Sequence, residues 1–186
     1  MKYLDLFPIF IIKLFFFISC TQIKNLSIDD QYKINAMIDS MQTLDQKNRY
    51  NIITIEKKYR VDVNSNNGKI LTKKLKKEKL GVNYDSYKRS KDSLREIFEK
   101  TNNLNTERLI DITEKYGYPS RKRISNYTAS ALSIFINSNK NYFSKIREII
   151  AKEYKAKRIS EYEKDFILWH VNGRKTTPPI RKKNNR

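Results

Sequence analysis

Two residues near the end of the chain, His170 and Arg174, have side chains suited to acid–base catalysis. They come at the end of the predicted last helix, where Glu163, Phe166 and His170 share one face. A histidine can act as a general base near neutral pH, and an arginine can hold an anionic substrate. Glu163 lies on the same predicted face and could tune the imidazole. The simpler interpretation is structural: a histidine in a last helical turn gains about 0.3–1 kcal/mol from the helix dipole.

A second candidate pair, Asp45 and Arg49, lies much earlier in the chain. The acid precedes the base by four positions, which is the favourable order for an ion pair on a helix surface. Such a pair contributes about 0.2–0.5 kcal/mol to an isolated helix. An enzyme could use it together with His170 and Arg174, but a solvated helix face is the simpler interpretation.

The inventory of reactive residues excludes most other catalytic chemistry. The sequence contains one His and one Cys. The single Cys is expected to carry a lipid, as argued below, so no free thiol remains. Zinc sites built from His and Cys ligands, and Cys–His nucleophile pairs, are therefore excluded. No glycine-rich phosphate loop follows a predicted strand. We expect no metal and no cofactor.

The first residues are typical of a lipoprotein signal. A lysine near the start is followed by a strongly apolar stretch that ends in Ser19 and Cys20, and a cleaved secretory signal has this layout. We predict a signal peptide over residues 1–19, a lipid on Cys20, and a polar tether over residues 20–30. An uncleaved N-terminal anchor and an ordinary signal with a chance cysteine are the alternatives.

Helical spacing of apolar residues predicts an all-α fold, a single compact multi-helix domain over residues 31–173. A loop rich in Asn interrupts the helical pattern at 61–69. The predicted helices span residues 31–59, 84–100, 106–116, 125–137 and 140–156, followed by a last helix that ends near Gly173. A short strand over residues 132–136 is the alternative to the 125–137 helix.

The sequence also predicts where several helices begin and end and which of their faces are buried. Asn105 is expected to cap the 106–116 helix, which ends at Gly117. Ser160 and Glu163 form a capping box that starts the last helix. The inward residues of the 140–156 helix are predicted to be Phe143, Ile146, Ile150 and Tyr154, with its charged residues outward. The inward stripe of the last helix is predicted to be Tyr162, Phe166 and Trp169.

The charge balance is strongly basic, with 39 Lys plus Arg against 20 Asp plus Glu and a net charge of +19. A flexible basic tail is predicted over residues 174–186. Such a surface attracts anionic lipid or polysaccharide, although AT-rich codons also enrich Lys, Asn and Ile. Nucleic acid is not expected, because the basic tail lacks aromatic residues for base stacking. The candidate anion-binding residues are Lys73, Lys74, Lys76, Lys77, Arg181, Lys182 and Lys183.

Two motifs suggest a family. Asp45-Gln46-x-x-Arg49, and the later run from Lys115 to Pro119 that reads Lys-Tyr-Gly-Tyr-Pro, resemble an uncharacterised helical domain found in lipoproteins and other exported proteins of Bacteroidetes. The resemblance implies an all-helical fold and no established activity. The chain departs from that pattern at Asn137 and Ser138, where relatives carry a histidine.

These features predict a lipid-anchored protein of the bacterial cell envelope, in the outer membrane, that binds or scaffolds. Its membrane contact would come through the lipid on Cys20, and the sequence names no protein partner. The alternatives are a hydrolase-like enzyme that uses His170 and Arg174, and a binder of polyanions or nucleic acid.

Overall fold

The computed structural model of the protein describes residues 26–61, 73–128 and 130–180. Every regular element in these ranges is helical and none is a strand, which confirms the predicted all-α class for this part of the chain. The helices are α1 (Ile28–Lys58), α2 (Lys73–Leu80), α3 (Tyr84–Tyr116), α4 (Ala131–Phe135), α5 (Phe143–Lys155) and α6 (Glu161–Val171).

The long helices α1 and α3 pack side by side in antiparallel directions. Nδ2 of Asn105 donates to the carbonyl oxygen of Met41 at 3.1 Å, and Nδ2 of Asn48 donates to Oγ1 of Thr101 at 2.9 Å. The residue numbers rise on one helix as they fall on the other, so these buried pairs fix both direction and register. The predicted cap at Asn105 is therefore wrong. The helix runs through that position, because the amide finds its partner on α1 instead of on its own backbone.

The start of α1 follows its sequence signals. The Ser27 hydroxyl accepts from the backbone N–H of Asp30 at 3.1 Å, and Asp29 and Asp30 occupy the first turn. A hydroxyl cap and early acidic residues satisfy the unpaired N–H groups of a helix start and favour its dipole. The helix begins at Ile28, slightly earlier than the apolar pattern indicated.

A single hydrophobic core lies between the first half of α1, the second half of α3, and α4 to α6. Its fully buried members include Ile38, Leu109, Phe135, Ile150 and Ile167. Beyond the core, α1 and α3 continue as a two-helix arm on which large apolar side chains such as Tyr50 and Ile53 are exposed.

The predicted 125–137 helix is much shorter in the structure, because only Ala131–Phe135 is helical. The preceding backbone finds other partners. The N–H of Ala131 donates to the Tyr127 hydroxyl at 2.7 Å, and the carbonyl of Ser130 accepts from Gln42 at 2.9 Å. Such side-chain bonds compete with a helical ladder. The alternative strand is also absent from this segment.

Helix α5 is predicted well except at its end. Ile146 and Ile150 are buried as expected. Tyr154, however, is 42% exposed, and the charged Glu153 beside it is only 2% exposed. The outward placement of Glu153 and the inward placement of Tyr154 were wrong. The buried carboxylate of Glu153 forms an ion pair with Arg158, and the spacing of apolar residues in the sequence cannot reveal such a pairing.

Helix α6 starts at the predicted capping box, in which Ser160 and Glu163 bond reciprocally. Its buried face, however, is formed by Ile167, His170 and Val171. The predicted stripe is rotated outward, where its three aromatic rings are half-exposed and contact each other in tilted and edge-on geometry, with centroids 5.7 and 5.3 Å apart. Neighbouring residues on a helix point about 100° apart. The prediction assigned the largest apolar side chains to the core, and the face that they define is rotated away from the face that is buried.

Several predictions fall on residues outside the described ranges, namely the signal at 1–19, the lipid site Cys20, nearly all of the loop at 61–69, and the end of the tail from Arg181 onward. Residues 174–180 are described, and the carbonyl of Thr176 accepts from the Trp169 indole at 2.6 Å. None of the described helices has the length and apolar character needed to cross a membrane.

Candidate functional site

The imidazole of His170 is buried and uses both ring nitrogens. Its Nδ1 accepts from Nε of Arg174 at 3.1 Å. A guanidinium only donates, so Nδ1 carries no proton, and Nε2–H donates to the carbonyl oxygen of Ser138 at 3.1 Å. The Phe143 ring meets the imidazole edge-on at 5.0 Å. Burial lowers the pKa of His170, and the charge of Arg174 lowers that pKa further, which favours the neutral ring.

Arg174 clamps α6 to the segment that follows α4. Its Nη2 donates to the carbonyl of Ile136 at 2.8 Å, and its guanidinium lies 5.2 Å from the Trp169 ring. Together with His170 it anchors residues 136–138. Glu163 faces elsewhere, since its carboxylate accepts from the Ser160 hydroxyl at 2.6 Å. A general base needs an available lone pair, and the lone pair of this imidazole is already bonded.

We expect His170 to make stability depend on pH. The unfolded histidine binds a proton below about pH 6.5, whereas the folded ring resists protonation. The unfolded state therefore binds more protons as the pH falls. The stabilising contribution is complete above about pH 6.5 and is lost as the pH falls through the lowered folded pKa.

The matched variant is His170→Gln, which cannot titrate. It should lose about 1–3 kcal/mol near neutral pH, because buried hydrogen bonds are broken. Its melting temperature should fall less than that of the wild type between about pH 7.5 and pH 5. Melting curves at each pH measure this. Parallel curves for the two proteins would contradict the assignment, since the carboxylates titrate in both.

Asp45 and Arg49 form the predicted i,i+4 ion pair, with Nε and Oδ2 separated by 2.8 Å. The guanidinium also lies 4.9 Å from the Phe98 ring on α3. The other carboxylate oxygen, Oδ1, is buried and makes no hydrogen bond within the described part of the chain. It points into a narrow polar cleft between α1, α3 and α4.

This cleft is lined by amide and hydroxyl side chains, among them Gln42, Asn105, Ser133 and Asn137. Its volume is about 10 Å³, which is room for about one water molecule. A cleft of this size can hydrate the Asp45 carboxylate but cannot hold an organic substrate. The cleft is therefore suited to binding a water molecule and not a substrate.

The catalytic candidates do not meet in one cleft. Asp45 lines the narrow cleft together with Asn137, whereas the next residue, Ser138, bonds His170 on the other side of the same segment. Tyr118 lies in the core, fully buried and stacked on Phe135 with ring centroids 6.2 Å apart. Burial, with Glu163 nearby, raises the pKa of Tyr118 well above its ordinary value, although its hydroxyl makes no hydrogen bond of normal geometry.

The predicted basic cluster at Lys73, Lys74, Lys76 and Lys77 falls on α2, where Lys73 and Lys77 are exposed. The side chain of Lys74 lies outside the described set, as do Arg181, Lys182 and Lys183. The α2 cluster adjoins the start of α3. It is a convex helix surface with no carboxylate in its first turn.

A wider basic groove, which sequence reasoning missed, lies at the opposite end of α3. Its volume is about 400 Å³, and none of the described residues that line it carries a carboxylate side chain. The basic residues that line it are Arg121, Lys122, Arg123, Lys157 and Arg158. They come from the turn after α3 and the turn after α5. The sequence signal was present as two short basic runs that each follow a helix end, far apart in the chain.

A buried ion pair supports the groove. Arg158 donates to both oxygens of Glu153, from Nε and from Nη2, each at 2.6 Å. The backbone N–H of Tyr118 donates to the same carboxylate at 2.7 Å. The hydrogen bonds to Glu153 and the charge of its carboxylate raise the pKa of Arg158. One inward carboxylate therefore fixes both an arginine of the groove and the chain after α3.

Arg123 lies beside this pair and holds the same turn. Its Nη1 and Nη2 donate to the carbonyls of Tyr118 at 3.2 Å and Tyr116 at 2.7 Å. Burial and the neighbouring Arg158 lower the pKa of Arg123. Gly117 is fully enclosed, with φ of 81°, and a Cβ there would come within 2.7 Å of both guanidinium groups. The Tyr-Gly-Tyr-Pro run thus packs against two of the arginines that line the groove and holds one of them by its carbonyls.

Within the described residues, no group of three or more His, Cys, Asp or Glu side chains is arranged to hold a metal ion. The groove is cationic and the narrow cleft holds a single carboxylate, so neither offers a set of metal ligands. Comparison of the chain with protein-family models, with curated proteins and with solved structures finds no match.

Proposed function

We propose that the protein is a lipid-anchored component of the bacterial cell envelope that binds an anionic ligand and performs no catalysis. The observation that carries this proposal is the basic groove, where five cationic side chains meet without a carboxylate in the lining. Accumulated positive charge in a concave site attracts anions more strongly than the same charge on a convex surface.

The position of the groove fits the proposed anchor. Leu26, at the start of the described chain, lies at its edge, and it follows Cys20 by six residues. A fully extended tether of that length spans at most about 20 Å. A lipid on Cys20 would therefore hold the groove near the membrane surface, where anionic headgroups attract basic residues by about 1 kcal/mol each.

The hydrolase-like alternative has less support. His170 and Arg174 bond each other and the backbone after α4, and the small cleft beside Asp45 admits no substrate. Nucleic-acid binding is also disfavoured, because the described residues that line the groove include no aromatic side chain and bases are held by stacking. The family suggested by the two motifs, common in exported proteins of Bacteroidetes, is consistent with the proposal.

Lipid attachment is tested by expressing the full chain in a bacterium. We expect the wild type to fractionate with membranes and to carry a diacylglycerol-modified Cys20 by mass spectrometry. Cys20→Ser should stay unprocessed or be released, while the neighbouring conservative variant Thr21→Ser should behave as the wild type. A cleaved product with an unmodified Cys20 would contradict the proposed lipid attachment.

A further inference from the structure

We propose that the basic groove is a receptor for a phosphate monoester, supplied by the headgroup of an anionic lipid in the adjacent membrane. The site of binding follows from the groove itself. The lipid source rests on the proposed anchoring at Cys20. The inference therefore deepens the proposed function by naming a ligand class and the residues that would bind it.

The groove combines two fixed cations with three exposed ones. Arg123 and Arg158 are half-buried and held by carbonyl and carboxylate partners. Arg121, Lys122 and Lys157 are exposed at the rim. Fixed guanidinium groups lose little side-chain entropy on binding, and the rim residues add attraction. This division is suited to a small, highly charged ligand.

Guanidinium groups match phosphate in shape as well as charge. The planar N–H donors of a guanidinium fit two phosphate oxygens at once. In the groove this geometry is offered by the exposed Arg121, while Arg123 and Arg158 contribute mainly fixed positive charge because most of their donor nitrogens are already bonded. Glu153 occupies the Nε and Nη2 positions of Arg158 and neutralises one charge, so the five cations of the groove keep a surplus of positive charge. A phosphate monoester carries nearly two negative charges near neutral pH, whereas a phosphodiester carries one. The surplus favours the monoester.

The backbone around the groove is tied together across the chain. Oε1 of Gln31 on α1 accepts from the N–H of Ser125 at 2.9 Å, and its Nε2 donates to the carbonyl of Leu26 at 3.1 Å. One side chain thus fixes the end of the tether to the turn that carries Arg121 and Lys122. A ligand in the groove would lie directly beside the point where the chain leads toward Cys20.

The α2 cluster provides a matched comparison. It adjoins the start of α3 and the groove adjoins the end of α3, a helix of 33 residues that is about 50 Å long. Arg121→Gln with Lys122→Gln removes two exposed charges from the groove. Lys73→Gln with Lys77→Gln removes two exposed charges from α2. Both double variants leave the core untouched, and equal melting temperatures check that each is folded.

The experiment measures binding of the full chain carrying Cys20→Ser to vesicles. The vesicles contain phosphatidylcholine with either phosphatidic acid, a monoester, or phosphatidylglycerol, a diester, at equal surface charge. We expect preference for phosphatidic acid. The groove variant should lose about tenfold or more in affinity, while the α2 variant should lose less than about threefold. Titration with inorganic phosphate and glycerol 3-phosphate tests the soluble source.

The outcomes separate the proposals. Equal losses for the two variants, or equal binding to both lipids together with no binding of soluble phosphate, would overturn the phosphate monoester site while leaving an anchored anion-binding protein. Tight binding of soluble phosphate without any preference among vesicles would overturn the lipid source. Failure to bind any anionic vesicle would overturn the proposed anion binding as well, whereas the state of Cys20 is read independently by mass spectrometry.

Discussion

Replacing Glu153 with alanine is expected to destabilise the protein by about 3–5 kcal/mol, the typical cost of removing one partner of a buried ion pair. The carboxylate is 2% exposed and bonds both Arg158 and the N–H of Tyr118. Its removal leaves Arg158 unpaired beside Arg123, and the like charges then repel. Urea denaturation at constant pH measures the loss.

Two controls isolate the cause. Glu148→Ala, on the exposed side of the same helix, should change the unfolding free energy by less than about 0.5 kcal/mol. Glu153→Gln keeps an oxygen for the N–H of Tyr118 but loses the charge, so it should fall between the other two variants. If Glu153→Ala were as mild as Glu148→Ala, the ion pair would not support the groove.

The helical class of the fold is readable from the sequence because apolar spacing is a local property. The capping box of α6 and the end of α3 follow from local signals at Ser160 and Gly117. The start of α1 was predicted three residues too late, because the cap at Ser27 was not identified. Asn105 and Glu153 do not follow the local pattern, because both are polar and both are buried. Each is polar in a buried position because it has a partner from another part of the fold, which is the carbonyl oxygen of Met41 for Asn105 and the backbone N–H of Tyr118 for Glu153.

The candidate site was harder to predict than the fold. His170 and Arg174 were identified from the sequence, but their role depends on the backbone after α4, whose carbonyls lie more than thirty residues away in the chain. The groove joins two turns whose basic runs are equally distant in sequence. A count of local charge instead favours α2, where lysines are denser along the chain.

The second large effect is expected at Gly117, where alanine should cost roughly 3–5 kcal/mol. Gly117 has φ of 81° and ψ of 163°, a region that is essentially restricted to glycine and costs other residues about 1–3 kcal/mol. The new Cβ would also lie 2.7 Å from Arg123 Nη1 and from Arg158 Nε, and overpacking adds about 1–3 kcal/mol.

Gly81 is the matched control for this prediction. Its φ is 49°, but a Cβ there meets nothing within 4 Å. Gly81→Ala should therefore lower the unfolding free energy only by the strain of the left-handed backbone conformation, about 1–2 kcal/mol. The difference between the two variants in urea denaturation measures the packing of the arginine pair against Gly117. Gly117→Ala should also weaken binding to phosphatidic acid vesicles, because displaced guanidinium groups no longer share one ligand. Equal destabilisation by both substitutions would show that only the backbone angle matters and that the two arginines adapt freely.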